Sequence, residues 1–218
     1  MTRPLASRPG PQNATSEFQR VLVWDAPTRV CHWLMAACFI GAYLTAAQDG
    51  WRTVHMTLGY TMGGLVLFRV VWGFVGTRHA RFASFVGGPA AVMEYLRKMR
   101  HEWGRRHIGH SPAGALLLVA LLLLTLLVGA SGWAIAGTSA ADRLDELHEG
   151  AAHAMLALAG LHLAGVAFGS WRSGENLLLS MINGTKLGSS SEAIRSAWHG
   201  VALLLVAAVL GFWWYQWD

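Results

Sequence analysis

Charged side chains are scarce in this 218-residue chain. Asp, Glu, Lys and Arg together make up 13% of the residues, 54% are hydrophobic, and the mean hydropathy is +0.37. A soluble domain usually has about 25% charged residues, so this composition argues against a soluble enzyme and favours a membrane protein. The 17 basic residues outnumber the 12 acidic ones, but they lie in connections between apolar stretches. This distribution argues against a nucleic-acid-binding face.

Cysteine is also scarce, and an N-terminal signal peptide is not evident. The two cysteines, Cys31 and Cys38, are seven residues apart in one apolar stretch. That separation places them on the same side of a helix, so we expect no disulfide. The first twenty residues are rich in Pro, Ser and Arg and lack the apolar core of a signal peptide. We therefore expect the N-terminus to stay in the cytoplasm and the first helix to act as its own insertion signal.

Five stretches are long enough to cross a bilayer. A hydrocarbon core about 30 Å thick needs about 20 apolar helical residues. Several of the eleven tryptophans lie at the ends of these stretches, where indole favours the membrane boundary. The sequence therefore predicts an all-α membrane protein with five transmembrane helices. The five stretches cover residues 30–48, 53–76 (interrupted only by Arg69), 111–141, 150–171 and 196–217.

Lys and Arg are distributed unevenly among the connections. They are frequent before the first stretch, between the second and third, and after the fourth, whereas the other two connections contain only Arg52 and Arg143 beside acidic residues. Cytoplasmic connections are enriched in Lys and Arg, so we predict a cytoplasmic N-terminus and a C-terminus on the outer side of the membrane, which is the periplasmic side in a bacterial inner membrane. In the long inner connection, residues 89–99 fit an amphipathic surface helix about as well as a solvated loop.

Four histidines lie in or beside the apolar stretches. Ionisable groups are costly inside a bilayer, so an intramembrane histidine is a candidate for function. His148 and His162 are fourteen residues apart, a separation that returns to nearly the same helix face after a rise of about 21 Å. The predicted topology places His55 at the outer level with His148, and His32 at the inner level with His162. We therefore predict these two pairs.

Paired imidazoles at two levels suit two stacked cofactors in a helical bundle. Bis-imidazole ligation fills both axial positions of a haem iron and favours reversible electron transfer. The chain has no Cys-x-x-Cys-His motif, so attachment would be noncovalent, as in b-type cytochromes. For one histidine alone, packing or a bond to a carbonyl explains burial as well as ligation does, but four at matching depths favour ligation. Arg29 and Arg69, near the inner boundary, are candidate partners of haem propionates, although snorkelling explains both equally well.

The remaining histidines have simpler explanations. His153 lies nine residues before His162, on nearly the opposite helix face, and we assign it no iron. His148 and His153 are one residue too far apart for a zinc motif on a helix, which requires an i, i+4 spacing. His199 begins the fifth stretch and has no partner that we can name. Solvated loop positions account for the histidines of the basic inner connection, which are His79, His101, His107 and His110.

Short motifs of a known family are distributed along most of the chain. In order, they are VWDAPTR at 23–29 with His32-Trp33, HMTLGY at 55–60, FRVVWG at 68–73, ARF at 80–82, GHSPAGA at 109–115, SGW at 131–133, ELHE at 146–149, ENL at 175–177 and GTK at 184–186. Together, these motifs resemble the prokaryotic cytochrome b561 family, which includes the b-type cytochrome subunit of nickel-iron hydrogenases. The resemblance covers roughly residues 20–187.

The resemblance implies a transmembrane four-helix haem-binding bundle plus a fifth C-terminal transmembrane helix. The expected division is a cytoplasmic tail at 1–20, a di-haem core at 21–187, and a linker with the fifth helix at 188–218. The family pattern implies two noncovalent haem b groups, with iron ligands at the positions that match His32, His55, His148 and His162. The same four positions follow from the helix arithmetic.

Family members pass electrons between a periplasmic redox partner and membrane quinone. The resemblance thus implies an inner-membrane respiratory-chain cytochrome whose partner is a c-type cytochrome or a hydrogenase-like enzyme. Short connections leave little room for a separate catalytic domain, so an electron-transfer subunit is favoured over a quinone-reactive oxidoreductase with its own catalytic site. Two alternatives remain: a histidine-lined proton or ion transporter, and a membrane anchor without a cofactor. The electron donor, the direction of flow and the quinone-site residues are not evident from the sequence.

Overall fold

The computed structural model describes residues 19–84, 112–137 and 141–218. The predictions for residues 89–99 and for His101, His107 and His110 lie outside these residues, as does most of the predicted N-terminal tail. Within the described residues, the fold consists mainly of helices. The elements are β1 (Gln19–Leu22), α1 (Ala26–Thr45), α2 (Arg52–Val75), α3 (Pro112–Gly137), α4 (Ala141–Ser173), α5 (Leu177–Asn183), β2 (Thr185–Gly188) and α6 (His199–Trp217).

Four of the described helices are long and apolar enough to cross a membrane. The spans are Arg52–Val75, Ala113–Ile135, Asp142–Ser173 and His199–Trp217, in α2, α3, α4 and α6. They include the predicted C-terminal span. Helix α1 has 20 residues but is not among these spans, because polar residues such as Arg29 and His32 lower its mean hydropathy. A transmembrane position of α1, and with it a fifth span, therefore remains a prediction.

The helices pack as two antiparallel pairs. Helix α1 lies along α2 and α3 lies along α4, and a contact between α2 and α3 joins the two pairs. Helix α6 packs mainly on α1. Among the described helices, α4 has no comparable backbone contact with α1 or α2. Helix α4 therefore meets α1 and α2 chiefly through side chains, and the predicted histidine pairs lie across these two boundaries.

Asp25 fixes the beginning of α1. Its side chain is 1% exposed and accepts a hydrogen bond from the backbone N–H of Thr28 at 2.8 Å, which caps the helix. The other carboxylate oxygen accepts bonds from Trp72 Nε1 at 3.1 Å and from the Thr77 hydroxyl at 2.5 Å. One buried carboxylate thus joins the beginning of α1 to the end of α2 and the turn that follows it.

A two-stranded antiparallel sheet closes the same end of the bundle. Strand β1 pairs with β2 in a register that places Gln19 opposite Gly188 and Leu22 opposite Thr185. Gly184, just before β2, has φ 85°, and a Cβ there would lie 2.7 Å from the Trp24 carbonyl oxygen, so this turn requires glycine. The predicted all-α fold did not include this sheet.

Two histidine pairs form the candidate functional site

The structure brings the four predicted histidines together in the two predicted pairs. The ring centroids of His55 and His148 are 6.1 Å apart, with an interplanar angle of 69°. Those of His32 and His162 are 6.3 Å apart, with an angle of 62°. We call His55 and His148 the outer pair and His32 and His162 the inner pair, after their predicted levels. Binding of iron by these residues remains a prediction.

Helix α4 contributes one histidine to each pair. It runs without a break from Ala141 to Ser173, so the fourteen residues between its two histidines correspond to a rise of about 21 Å. The apolar stretch predicted for this helix began only at residue 150, because acidic residues and Arg143 precede it. The helix itself begins nine residues earlier and includes His148.

The outer pair is held by hydrogen bonds to backbone carbonyls. His55 Nδ1 donates to the Ala42 carbonyl oxygen at 2.8 Å, and His148 Nδ1 lies 3.0 Å from the Val128 carbonyl oxygen and 3.1 Å from Ser131 Oγ. A carbonyl only accepts, so each Nδ1 has the proton and each Nε2 keeps its lone pair. This is the state in which a neutral imidazole binds a metal through Nε2.

Close helix packing also positions His148. A Cβ on Gly132 of α3 would lie 3.0 Å from His148 Cε1 and 3.3 Å from its Nδ1. Glycine therefore lets α3 approach the imidazole closely enough for the bond to Val128. Sequence reasoning missed the carbonyl partners because every residue has a carbonyl group, and only the packing of helices selects one.

The inner pair lies among aromatic and apolar side chains. The ring of Trp33 contacts His32 edge to face, with centroids 5.2 Å apart. Among the described residues, neither His32 nor His162 has a hydrogen bond to its ring. Both imidazoles therefore have nitrogen lone pairs that are not used within the described part of the chain, which is compatible with a metal ligand.

The spacing within each pair suits one iron between two imidazoles. Imidazole nitrogens bind first-row metals such as zinc at about 2.0–2.1 Å. Adding the distance from nitrogen to ring centre on each side gives roughly 6.3 Å between centroids for two such ligands in line. The observed separations of 6.1 and 6.3 Å fit this arrangement. A Cβ added to Gly59, Gly63 or Gly160 would meet no atom within 4 Å, so there is space beside these helices.

Arg69 is a buried cation near the inner pair's level. It follows His55 by fourteen residues on α2, so it lies on nearly the same helix face about 21 Å further along. The side chain is 4% exposed, and its Nη1 and Nη2 have no hydrogen-bond partner within the described residues. Its guanidinium carbon lies 5.2 Å from the centre of the Phe82 ring. A buried guanidinium with two unused nitrogens suits a carboxylate ligand such as a propionate.

Arg29 has a different environment. Its Nη1 donates to the Ile182 carbonyl oxygen at 2.5 Å, so the side chain holds the end of α5 against α1. Its Nε is buried without a partner in the described part of the chain. One donor of Arg29 is therefore used to hold α5, and a bond from its other donors to a propionate remains a prediction.

Two further histidines have identifiable contacts. His153 contacts Tyr43 edge to face at 6.0 Å and bonds through Nδ1 to the Glu149 carbonyl oxygen at 3.0 Å. His79 Nε2 lies 2.8 Å from the Glu192 carbonyl oxygen and is half-buried, so the expectation of a solvated loop position was wrong for this residue. Neither residue lies beside another described histidine ring.

A membrane helix bundle with facing imidazoles on neighbouring helices has the donor set of a b-type cytochrome. Comparison with known families matches residues 23–184 to the family described as prokaryotic cytochrome b561. This match covers most of the chain, and the chain therefore belongs to the prokaryotic cytochrome b561 family. The predicted family is confirmed. The protein is a membrane b-type cytochrome, and the cofactor that this class implies is haem b.

Individual relatives have related descriptions. A probable Ni/Fe-hydrogenase B-type cytochrome subunit of Azotobacter chroococcum mcd 1 is 30% identical over 143 residues, which cover 53% of this chain and 59% of the relative. The protein of that description from Rhodobacter capsulatus is 25% identical over 210 residues, which cover 75% of this chain and 80% of the relative. The chain spans less than two thirds of the length of the first of these. No solved structure matches the chain.

Proposed function

We propose that this cytochrome holds two haem b groups, one on the outer pair and one on the inner pair, and transfers electrons across the membrane. The observation that carries the proposal is the separation of the rings in each pair, which leaves room for one iron between two nitrogens. When bound, each haem supplies a reversible one-electron couple, because two axial imidazoles leave no open position for oxygen.

The residues around the outer pair orient its ligands. The carbonyl oxygens of Ala42 and Val128 accept from the two Nδ1 atoms and so keep both Nε2 atoms available. Such outer partners fix the tautomer and the ring orientation of a metal-bound histidine. The hydroxyl of Ser131 adds a second polar group beside His148.

Arg69 is the proposed partner of a propionate at the inner level. Its two unused nitrogens are enclosed by protein, where a donor without an acceptor is costly. A carboxylate on those nitrogens would supply an acceptor for each through a bidentate bond. Arg29, whose Nε is also unused, is the second candidate.

The proposed path joins a periplasmic redox partner to the quinone pool. Support comes from the descriptions of the relatives, which are cytochrome subunits of Ni/Fe hydrogenases. We therefore propose that the chain is the membrane subunit of a larger oxidoreductase with a hydrogenase-like enzyme or a c-type cytochrome as its partner. The proposed orientation is an inner-membrane protein with the N-terminus in the cytoplasm, as the distribution of Lys and Arg favours.

Single ligand variants test this assignment. In purified protein, His148→Ala or His55→Ala is expected to lower the haem content from two to about one per chain, and His32→Ala or His162→Ala to remove the other haem. Redox titration of the absorbance identifies which of the two components each variant loses. The two variants of one pair should lose the same component.

The matched control is His153→Ala, because His153 is on α4, has its own bond to a carbonyl and lies in neither pair. This variant should retain both haems. The assignment is wrong if His153→Ala loses a haem while His148→Ala keeps two, or if the variants of one pair lose different components.

A further inference from the structure

A groove runs between α1 and α6 and is closed at one end by α5. Its volume is about 670 Å³, which is within the range of small-molecule sites. Its side walls are apolar and include Val30 and Leu34 of α1 and Leu203 and Val206 of α6. None of the four paired histidines lines this groove, although Trp33, which does, contacts the His32 ring edge to face.

The polar end of the groove lies at a membrane boundary. Helix α6 has 19 residues and is therefore about 28 Å long, close to the thickness of a bilayer core. Exposed aromatic residues lie at both of its ends, with Trp198 at the start and Trp214, Tyr215 and Trp217 at the finish. Such residues mark headgroup levels. His199, the first residue of α6, thus lies at headgroup level.

Hydrogen-bond donors line the polar end of the groove. Arg29 and His199 line it, and none of the described residues around the groove is acidic. Nη1 of the Arg29 guanidinium donates to the Ile182 carbonyl oxygen, and no described residue accepts from Nη2. Helix α6 also has no side-chain cap, so its first backbone N–H groups add positive potential there.

We propose that this groove binds one anionic phospholipid of the adjoining leaflet. The phosphate accepts hydrogen bonds from Arg29 and His199, and an acyl chain lies along the apolar walls toward the bilayer centre. Charge complementarity selects an anionic lipid over a zwitterionic one, because a choline or ethanolamine group would bring a cation to an end that has no acidic residue.

Native mass spectrometry of the purified full-length protein tests the proposal. Phosphatidylglycerol and phosphatidylcholine with the same acyl chains are added to detergent-solubilised protein, and the apparent Kd of each is measured. Wild type should bind phosphatidylglycerol the more tightly. Arg29→Gln should weaken phosphatidylglycerol binding by about tenfold, since hydrogen bonds to charged groups contribute enough for such a loss.

Matched variants separate lipid binding from folding. Arg52→Gln removes an exposed arginine from the opposite end of the bundle and should have no effect. Arg29 also holds α5, so His199→Gln and Leu203→Trp, which fills the groove, provide tests that keep that contact. Both should lower phosphatidylglycerol binding.

Equal affinity for the two lipids in wild type would overturn the proposal. So would equal losses in the Arg29 and Arg52 variants, or a Leu203→Trp variant that binds phosphatidylglycerol normally. Haem content, measured in the His199→Gln and Leu203→Trp samples, reports separately on the proposed function, because neither residue is assigned to a haem.

Discussion

Replacement of Asp25 by alanine is expected to destabilise the protein strongly. The carboxylate caps α1 through Thr28 and accepts from Trp72 Nε1 and Thr77 Oγ1. Loss of a helix cap costs about 1 kcal/mol, and each donor left buried without an acceptor costs about 1–3 kcal/mol. The total is about 3–7 kcal/mol, a large part of the 5–15 kcal/mol that stabilises a typical protein.

Asp25→Asn should have a smaller effect. Its amide oxygen can still accept from the Thr28 N–H, and the Thr77 hydroxyl can rotate to accept from the new NH₂ group. Only Trp72 Nε1 then lacks an acceptor, so we expect a cost of about 1–3 kcal/mol. The order of stability should be wild type, then Asn, then Ala.

Reversible unfolding in mixed detergent micelles, followed by tryptophan fluorescence, measures these differences. Thr45→Val is a suitable control, because Thr45 is also buried, lies at the other end of α1, and has a hydroxyl that bonds only to carbonyls of its own helix. If Asp25→Ala unfolds within about 0.5 kcal/mol of wild type, a range usual for surface substitutions, the reasoning about this buried carboxylate is refuted.

Two further predictions concern contacts between helices. Gly132→Ala places a Cβ 3.0 Å from His148 Cε1 and should alter or remove the absorbance of the outer haem while that of the inner haem persists. Gly129→Ala is the control, because a Cβ there enters open space on the same helix and should change neither absorbance. Equal spectra for the two variants would contradict this prediction. Thr61→Val removes the acceptor of Trp213 Nε1 at 2.8 Å and should cost about 1 kcal/mol of unfolding free energy. In a double-mutant cycle with Trp213→Phe the two costs should be non-additive, and additivity within about 0.3 kcal/mol would show that the bond contributes nothing.

The helices and the histidine pairs could be predicted from the sequence because both follow from local regularities. The lengths of the apolar stretches locate helices, and the fourteen-residue spacing of His148 and His162 fixes their separation along one helix face. The charged residues before the fourth apolar stretch gave a wrong beginning for α4, because the helix begins at Ala141, nine residues before that stretch.

The features that were missed depend on contacts between distant segments. Strands β1 and β2 have four residues each and are separated by more than 160 positions, so no local pattern indicates that they pair. The carbonyl oxygens of Ala42 and Val128 became visible as partners of His55 and His148 only when the helices were packed together. Arg69 was identified as a candidate, but its unused nitrogens and its contact with Phe82 required the structure.

The ratio of haem to protein tests the central claim most directly. A pyridine haemochrome assay on the purified chain, combined with quantitative amino-acid analysis, gives both the haem type and the number per polypeptide. Two imidazole pairs predict two noncovalent haem b groups per chain. A ratio of one or zero, or haem that stays attached to the polypeptide after acid-acetone extraction, would contradict the account.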